Sequence, residues 1–222
     1  MKHYQIGFSY DKKLIGTSEM PYTIEITSKE ALDFFDENFN TLDFCNNIDF
    51  FHEKIPSHIE GKIQTPKKKL IDYMSTCPFV TNLEAIVSEK VKNIIENLHV
   101  RQNEFYMKEI HVRNFNEPYY LLFIPLIKDS DFCFPECRFW NSTTDKRDIV
   151  FQDRDSWFKA IGVQFQKVVL KSVYKDFDLI ATSGGGTFFS KRIITEFEKQ
   201  NVLGYEIINK GYFYRELSFC EK

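Results

Sequence analysis

Ile86-Val87-Ser88-Glu89-Lys90-Val91 and Phe188-Phe189-Ser190-Lys191-Arg192-Ile193 match position by position. In each, two apolar residues precede a serine, two polar residues follow, and a β-branched residue begins an apolar stripe. A serine in front of such a stripe reads as a helix N-cap. Val91, Ile94, Ile95 and Leu98 continue the first stripe at helical spacing, and Ile193, Ile194 and Phe197 the second. The spacing predicts helices near 88–99 and 190–202. Each leads into an aromatic-bearing strand, Phe105-Tyr106-Met107-Lys108-Glu109-Ile110-His111-Val112 or Tyr205-Glu206-Ile207-Ile208, the second entered through Gly204 as a C-terminal turn. Two serine-capped helix–strand units result. A duplicated unit explains the match, and so does the commonness of capped amphipathic helices.

Working outward, Tyr4-Gln5-Ile6-Gly7-Phe8 and Tyr22-Thr23-Ile24-Glu25-Ile26 alternate as half-buried strands do. Ser28 precedes a helix carrying Ala31, Leu32, Phe34 and Phe35. The run Tyr119-Tyr120-Leu121-Leu122-Phe123-Ile124-Pro125-Leu126-Ile127 reads as a fully buried strand, with Pro125 forcing an edge or a bulge. Segments 168–173 and 179–181 are further strand candidates. Pro56, Gly61, Pro66 and Lys67-Lys68-Lys69 mark an exposed connection. The expected fold is α/β of the α+β type, a mixed, largely antiparallel sheet with a few flanking helices. Residues 1–80 form a variable lobe and 81–222 the core, the two making one compact unit.

Composition bounds the function. The chain has 222 residues, 23 Phe and 11 Tyr against 9 Gly and 7 Pro, and a formal charge of −3. Rings on that scale build a core readily, and those left outside are candidate anchors for a partner. The near-neutral charge supplies no global field of the kind nucleic-acid binders carry. The longest apolar run is about half of what a membrane-crossing helix needs, so neither a nucleic-acid nor a membrane partner is expected. The opening Met1-Lys2-His3-Tyr4-Gln5-Ile6 lacks the apolar run of a signal peptide. Five scattered cysteines (Cys45, Cys77, Cys133, Cys137, Cys220) then read as free thiols of a cytoplasmic protein.

Chemical motifs are weak. Ser183-Gly184-Gly185-Gly186-Thr187 precedes a helix, as phosphate-cradling loops do, but lacks a Walker lysine and G-x-G-x-x-G spacing. A flexible turn explains it better, and an enzyme binding a phosphate-bearing ligand there is the alternative reading. Cys133 and Cys137 lie four apart, yet a structural zinc needs four ligands and no second pair exists. Neither a metal nor another cofactor is expected. No nucleophile–base signature appears, and Asp43, Asp49, Asp153 and Asp155 read as solvated carboxylates. A protein that binds another protein and does not catalyse is the expectation.

Thr187 through Ile193, continuing through Val202-Leu203-Gly204-Tyr205-Glu206, resembles the closing signature of a bacterial immunity-protein family of polymorphic toxin systems, formerly a domain of unknown function. The order of serine-capped helix, strand and Tyr-rich apolar strand from Val87 to Ile127 fits as well, so the resemblance spans roughly 81–210. The family's Asp-bearing segment is only loosely echoed by Asp148-Ile149-Val150-Phe151. The resemblance implies stoichiometric neutralisation of a cognate toxin domain and no catalytic residues. A regulatory domain with a partner other than a toxin is a further alternative.

Two stretches offer contact surfaces. Residues 30–53 carry Glu30, Asp33, Asp36, Glu37, Asp43, Asp49 and Glu53 with no Lys or Arg, interleaved with phenylalanines that include Phe39. Such a face suits a basic partner, and an ordinary solvated helix face reads the same way. The second runs from Phe139-Trp140-Asn141 to Asp153-Arg154-Asp155-Ser156-Trp157-Phe158. Trp and Arg dominate interface energetics, which makes Trp140, Arg154 and Trp157 candidates alongside Asp36, Glu37, Asp43 and Phe39.

Overall fold

The computed structural model describes residues 1–15, 21–39, 54–64 and 71–221. The elements in order are β1 (His3–Phe8), α1 (Lys12–Ile15), β2 (Thr23–Ile26), α2 (Lys29–Phe39), β3 (Glu60–Ile63), β4 (Tyr73–Cys77), β5 (Leu83–Ser88) and α3 (Glu89–Asn97). Then come β6 (Tyr106–Val112), β7 (Tyr119–Phe123), β8 (Arg138–Asn141), β9 (Lys146–Ile149), α4 (Arg154–Phe158) and β10 (Val163–Lys171). The chain closes with β11 (Leu179–Thr182), β12 (Gly186–Ser190), α5 (Lys191–Lys199), β13 (Tyr205–Ile207) and β14 (Glu216–Cys220).

This is an α+β fold. A closed barrel runs β2-β3-β6-β7-β5-β4, and two four-stranded sheets run β11-β12-β1-β13 and β14-β10-β8-β9. Only β2–β4, β3–β6 and β10–β14 pair in parallel among the described strands. Strands from both sides of position 80 share the barrel, and β1 is inserted between β12 and β13. Among the described residues no helix is long and apolar enough to cross a membrane.

The apolar pair in front of each serine follows from burial on two faces. Successive side chains of a strand point to opposite sides. Ile86 therefore fills the barrel interior, with Ile24, Leu121 and Phe123, while Val87 packs outside it against Val91, Ile94 and Ile193. In β12, Phe189 joins that same outer core and Phe188 enters a third one, with Phe139, Phe165 and Val168. Burying each such side chain contributes about 1.5–3 kcal/mol. Strand β7 alternates likewise: Leu121 and Phe123 point in, and Leu122 points out. It stops at Phe123, so Pro125 lies beyond the strand, which is not an edge, and the register of its pairing with β5 shifts between Leu83 and Ala85 at that end. Segment 168–173 is also shorter in strand than expected, since β10 ends at Lys171 and Ser172–Tyr174 turn into a 3-10 helix.

Candidate partner-binding surface

The two helices begin where the sequence places them, but their serines do different work. Ser88 and Ser190 occupy the N-cap positions and neither hydroxyl bonds its own helix. Each donates instead to an aspartate at the start of the preceding hairpin: Ser88 Oγ to Asp72 Oδ1 at 2.8 Å, and Ser190 Oγ to Asp178 Oδ1 at 2.5 Å. Each serine N–H also donates to the carbonyl of that aspartate, at 2.9 and 2.8 Å. A basic residue two positions after each serine completes the unit. Lys90 Nζ reaches Asp72 Oδ2 at 2.9 Å, and the Arg192 guanidinium grips both Asp178 oxygens. The same two cations cross to the other helix's end: Arg192 Nη1 donates to the Leu98 carbonyl at 2.8 Å, and Lys90 Nζ to that of Asn201 at 3.5 Å. Cations at helix C-termini are favourable there.

The start of each hairpin is tied in parallel fashion. The Asp72 and Tyr73 N–H groups donate to the Leu203 carbonyl, both at 3.0 Å. Those of Asp178 and Leu179 donate to Glu104 Oε2, at 2.6 and 3.0 Å. Burial pushes the Asp178 carboxyl up, but the bonds from Arg192 and Ser190 outweigh it and hold it below its ordinary value. Burial pushes the Glu104 carboxyl up, and there the two backbone donors do not fully offset it. Both units form a structural brace of carboxylates, hydroxyls and cations, with Glu104 Oε1 left buried and without a hydrogen bond in the second.

A different region offers itself to a partner. Gly211, at φ +93°, turns the chain so that Tyr212, Phe213 and Tyr214 project, 45, 69 and 40% exposed. Their backbone is held from below by the buried Gln5 of β1. Gln5 Nε2 donates to the Phe213 carbonyl at 2.9 Å, and the Arg215 N–H donates to Gln5 Oε1 at 2.6 Å. Tyr212 stacks edge-to-face on Phe213 at 5.1 Å and on Trp140 at 5.0 Å, and Gln164 Nε2 donates to its hydroxyl. The Trp140 indole N–H donates to Asp145 Oδ1 at 2.9 Å, and Arg147 lies over its ring. Trp140, Arg147, Tyr212, Tyr214, Arg215 and Glu216 line an open groove of about 540 Å³. The Trp140 and Tyr212 rings are thus held by their partners, and less side-chain entropy remains for them to lose on contact.

The expected site residues divide. Trp140 lies in this groove. Trp157 does not, because its ring packs on Phe134, Phe139 and Phe165 and its N–H donates to the Val163 carbonyl. Arg154 is also spoken for, paired with Asp129 and laid over Phe158. Asp36 and Glu37 are exposed on α2 beside Glu30 and Asp33, while Ala31 and Phe35 face the barrel core. Phe39 closes α2, and Asp43, like Asp49 and Glu53, lies outside the described residues. Asp153 caps α4 through Ser156 and is not half of a carboxylate pair. The turn Tyr212-Phe213-Tyr214 was legible as three consecutive rings between Gly211 and Arg215, a density of exposed aromatic area that no strand or helix pattern required.

The glycine loop is a hairpin turn. Thr182 pairs with Gly186, and strand β12 separates the glycines from α5, so they lack the helix N-terminal N–H groups a phosphate needs. Gly184 packs against Trp157, and a side chain on Gly185 would meet Val168 and Thr182. The expectation of free thiols holds for Cys77 and the buried Cys137 and fails for Cys133 and Cys220, which form a disulfide. The cause is tertiary: β14 pairs with β10, placing Cys220 opposite Lys171, while the Cys133 N–H donates to Val169 of the same strand. Cys137 is held separately between the Val169 N–H and carbonyl, so Cys133 and Cys137 do not converge on a metal.

Fold and surface together define an α+β protein with a braced core and an exposed aromatic groove. No protein-family model matches the chain, and no curated protein matches it.

Proposed function

We propose that the chain is an immunity protein that binds a cognate bacterial toxin domain one-to-one and neutralises it. The reading rests on one observation, the projecting Tyr212-Phe213-Tyr214 turn beside Trp140. Exposed Trp and Tyr rings beside an arginine-lined groove are the composition of binding hot spots, and Phe213 at 69% exposure makes no contribution to any of the three cores. The resemblance of the two serine-led units to an immunity family supports the same reading. The acidic face of α2, with Asp36 and Glu37, supplies a second surface of a sign that steers basic partners in.

Co-expression tests it. Cells producing the toxin domain encoded beside this protein's gene survive when the intact chain is present. Phe213→Ala with Trp140→Ala weakens protection while leaving the protein folded. Death of the cells despite soluble protein sinks the proposal.

A further inference from the structure

Arg215 is 7% exposed and carries a full positive charge. Its Nη1 donates to the carbonyls of Tyr212 and Tyr214, at 2.7 and 2.8 Å, and its Nη2 to Gln164 Oε1 at 2.7 Å. All three acceptors are neutral. An arginine has five N–H donors, so two remain. No carboxylate among the described residues pairs with it. Burial lowers the pKa of this guanidinium, the direction taken by a buried cation without a counter-charge. Buried charges are ordinarily paired.

The surrounding charges leave that surplus intact. Arg147 faces Asp145, with Nε to Oδ1 at 3.6 Å, and Glu216 faces Lys167 at 3.7 Å. Each pair cancels, and Arg215 remains as one net positive charge in a groove walled by Trp140, Tyr212 and Tyr214. Building on the partner-binding reading, we infer that this groove is an anion site that receives a carboxylate side chain of the bound protein, seated on Arg215 between the rings. A carboxylate carries one negative charge and matches the surplus. A phosphate dianion leaves one charge unmatched. Desolvated arginine–carboxylate pairs are among the stronger polar contacts in interfaces.

The test uses the intact chain and the acetylated, amidated peptides Gly-Glu-Gly and Gly-Gln-Gly. The Trp140 indole N–H resonance is followed by NMR, with Trp140→Phe identifying it. The Glu peptide shifts this resonance at a concentration at least about tenfold lower than the Gln peptide does. Equal responses, or none from either, overturn the site. Inorganic phosphate is the third probe, and a response about tenfold stronger than that to the Glu peptide overturns the carboxylate assignment. Arg215→Met abolishes the Glu-over-Gln preference, whereas Arg147→Gln retains most of it; the reverse pattern moves the charge to Arg147 and refutes the inference. Should Arg215→Met fail to fold, the peptide pair on the unaltered chain still decides. Toxin protection lost without loss of the peptide preference counts against the immunity reading alone. A toxin complex formed with unchanged affinity by folded Arg215→Met overturns the partner carboxylate.

Discussion

Replacing Asp178 by Asn removes one charge from a nearly closed network. Asp178 is 2% exposed and accepts from Ser190 Oγ, from the Arg192 guanidinium and, through its carbonyl, from the Ser190 N–H. Asn preserves the shape and the bond to Ser190, but its amide nitrogen faces a guanidinium donor. Losing a charged partner in a buried site costs about 3–5 kcal/mol when nothing else reaches the remaining ion. Here the Arg192 side chain is 42% exposed and water recovers part of that, so we expect about 2–3 kcal/mol. In a chain of this size that lowers Tm by about 5–10 °C. Asp72→Asn is the internal control. Its partner Lys90 makes one bond to Asp72, keeps a longer one to the Asn201 carbonyl and is 39% exposed, so about 1–2 kcal/mol is expected. Urea titration of both variants, followed by tryptophan fluorescence, gives the two numbers. The pH dependence carries its own sign. The folded Asp178 pKa lies below its ordinary value of 3.8. Its contribution is therefore complete above that value and fades as pH falls through the folded pKa, where wild type and Asp178→Asn converge. Losses under about 0.5 kcal/mol for both variants, the range of an unremarkable surface change, refute the view that these units brace the fold.

Other outcomes follow from the same contacts. Gly204→Ala puts a Cβ 2.1 Å from the Tyr73 carbonyl at φ +108°, so a loss of about 3 kcal/mol or more is expected by thermal unfolding. Trp157→Ala empties a site among Phe134, Phe139 and Phe165 and costs about 3–5 kcal/mol in chemical denaturation, without a direct effect on the partner surface. Phe213→Ala does the opposite, leaving Tm within about 2 °C while weakening toxin binding by about 2 kcal/mol, measured by calorimetry.

What the sequence discloses and hides follows from the range of each interaction. The stripes of α3 and α5 and the strands β1, β2 and β6 are local, and they stand where the sequence pattern puts them, although Gln5 of β1 is buried beside Ile6. Ser88 and Ser190 mark the right positions for the wrong reason: their hydroxyls serve Asp72 and Asp178, which lie 16 and 12 residues upstream. Unequal spacing conceals that correspondence until the hairpins are seen. Barrel closure depends on the parallel pairs β2–β4 and β3–β6, contacts that leave no periodic trace. The Cys133–Cys220 disulfide spans 87 residues and is equally invisible. Trp157 and Trp140 carry similar mixed-charge neighbourhoods, and only packing separates the core ring from the groove ring. Gln5 shows the same limit, since an ordinary strand polar residue becomes the support of the aromatic turn through partners more than 200 positions away.

The most direct test of the account is calorimetric titration of the purified chain with the cognate toxin domain that the proposed function requires. Saturation at one toxin domain per chain, with Phe213→Ala and Trp140→Ala weakening the affinity of a folded protein, is the predicted result. Absence of heat with an active toxin domain, or a complex indifferent to both ring deletions, contradicts it.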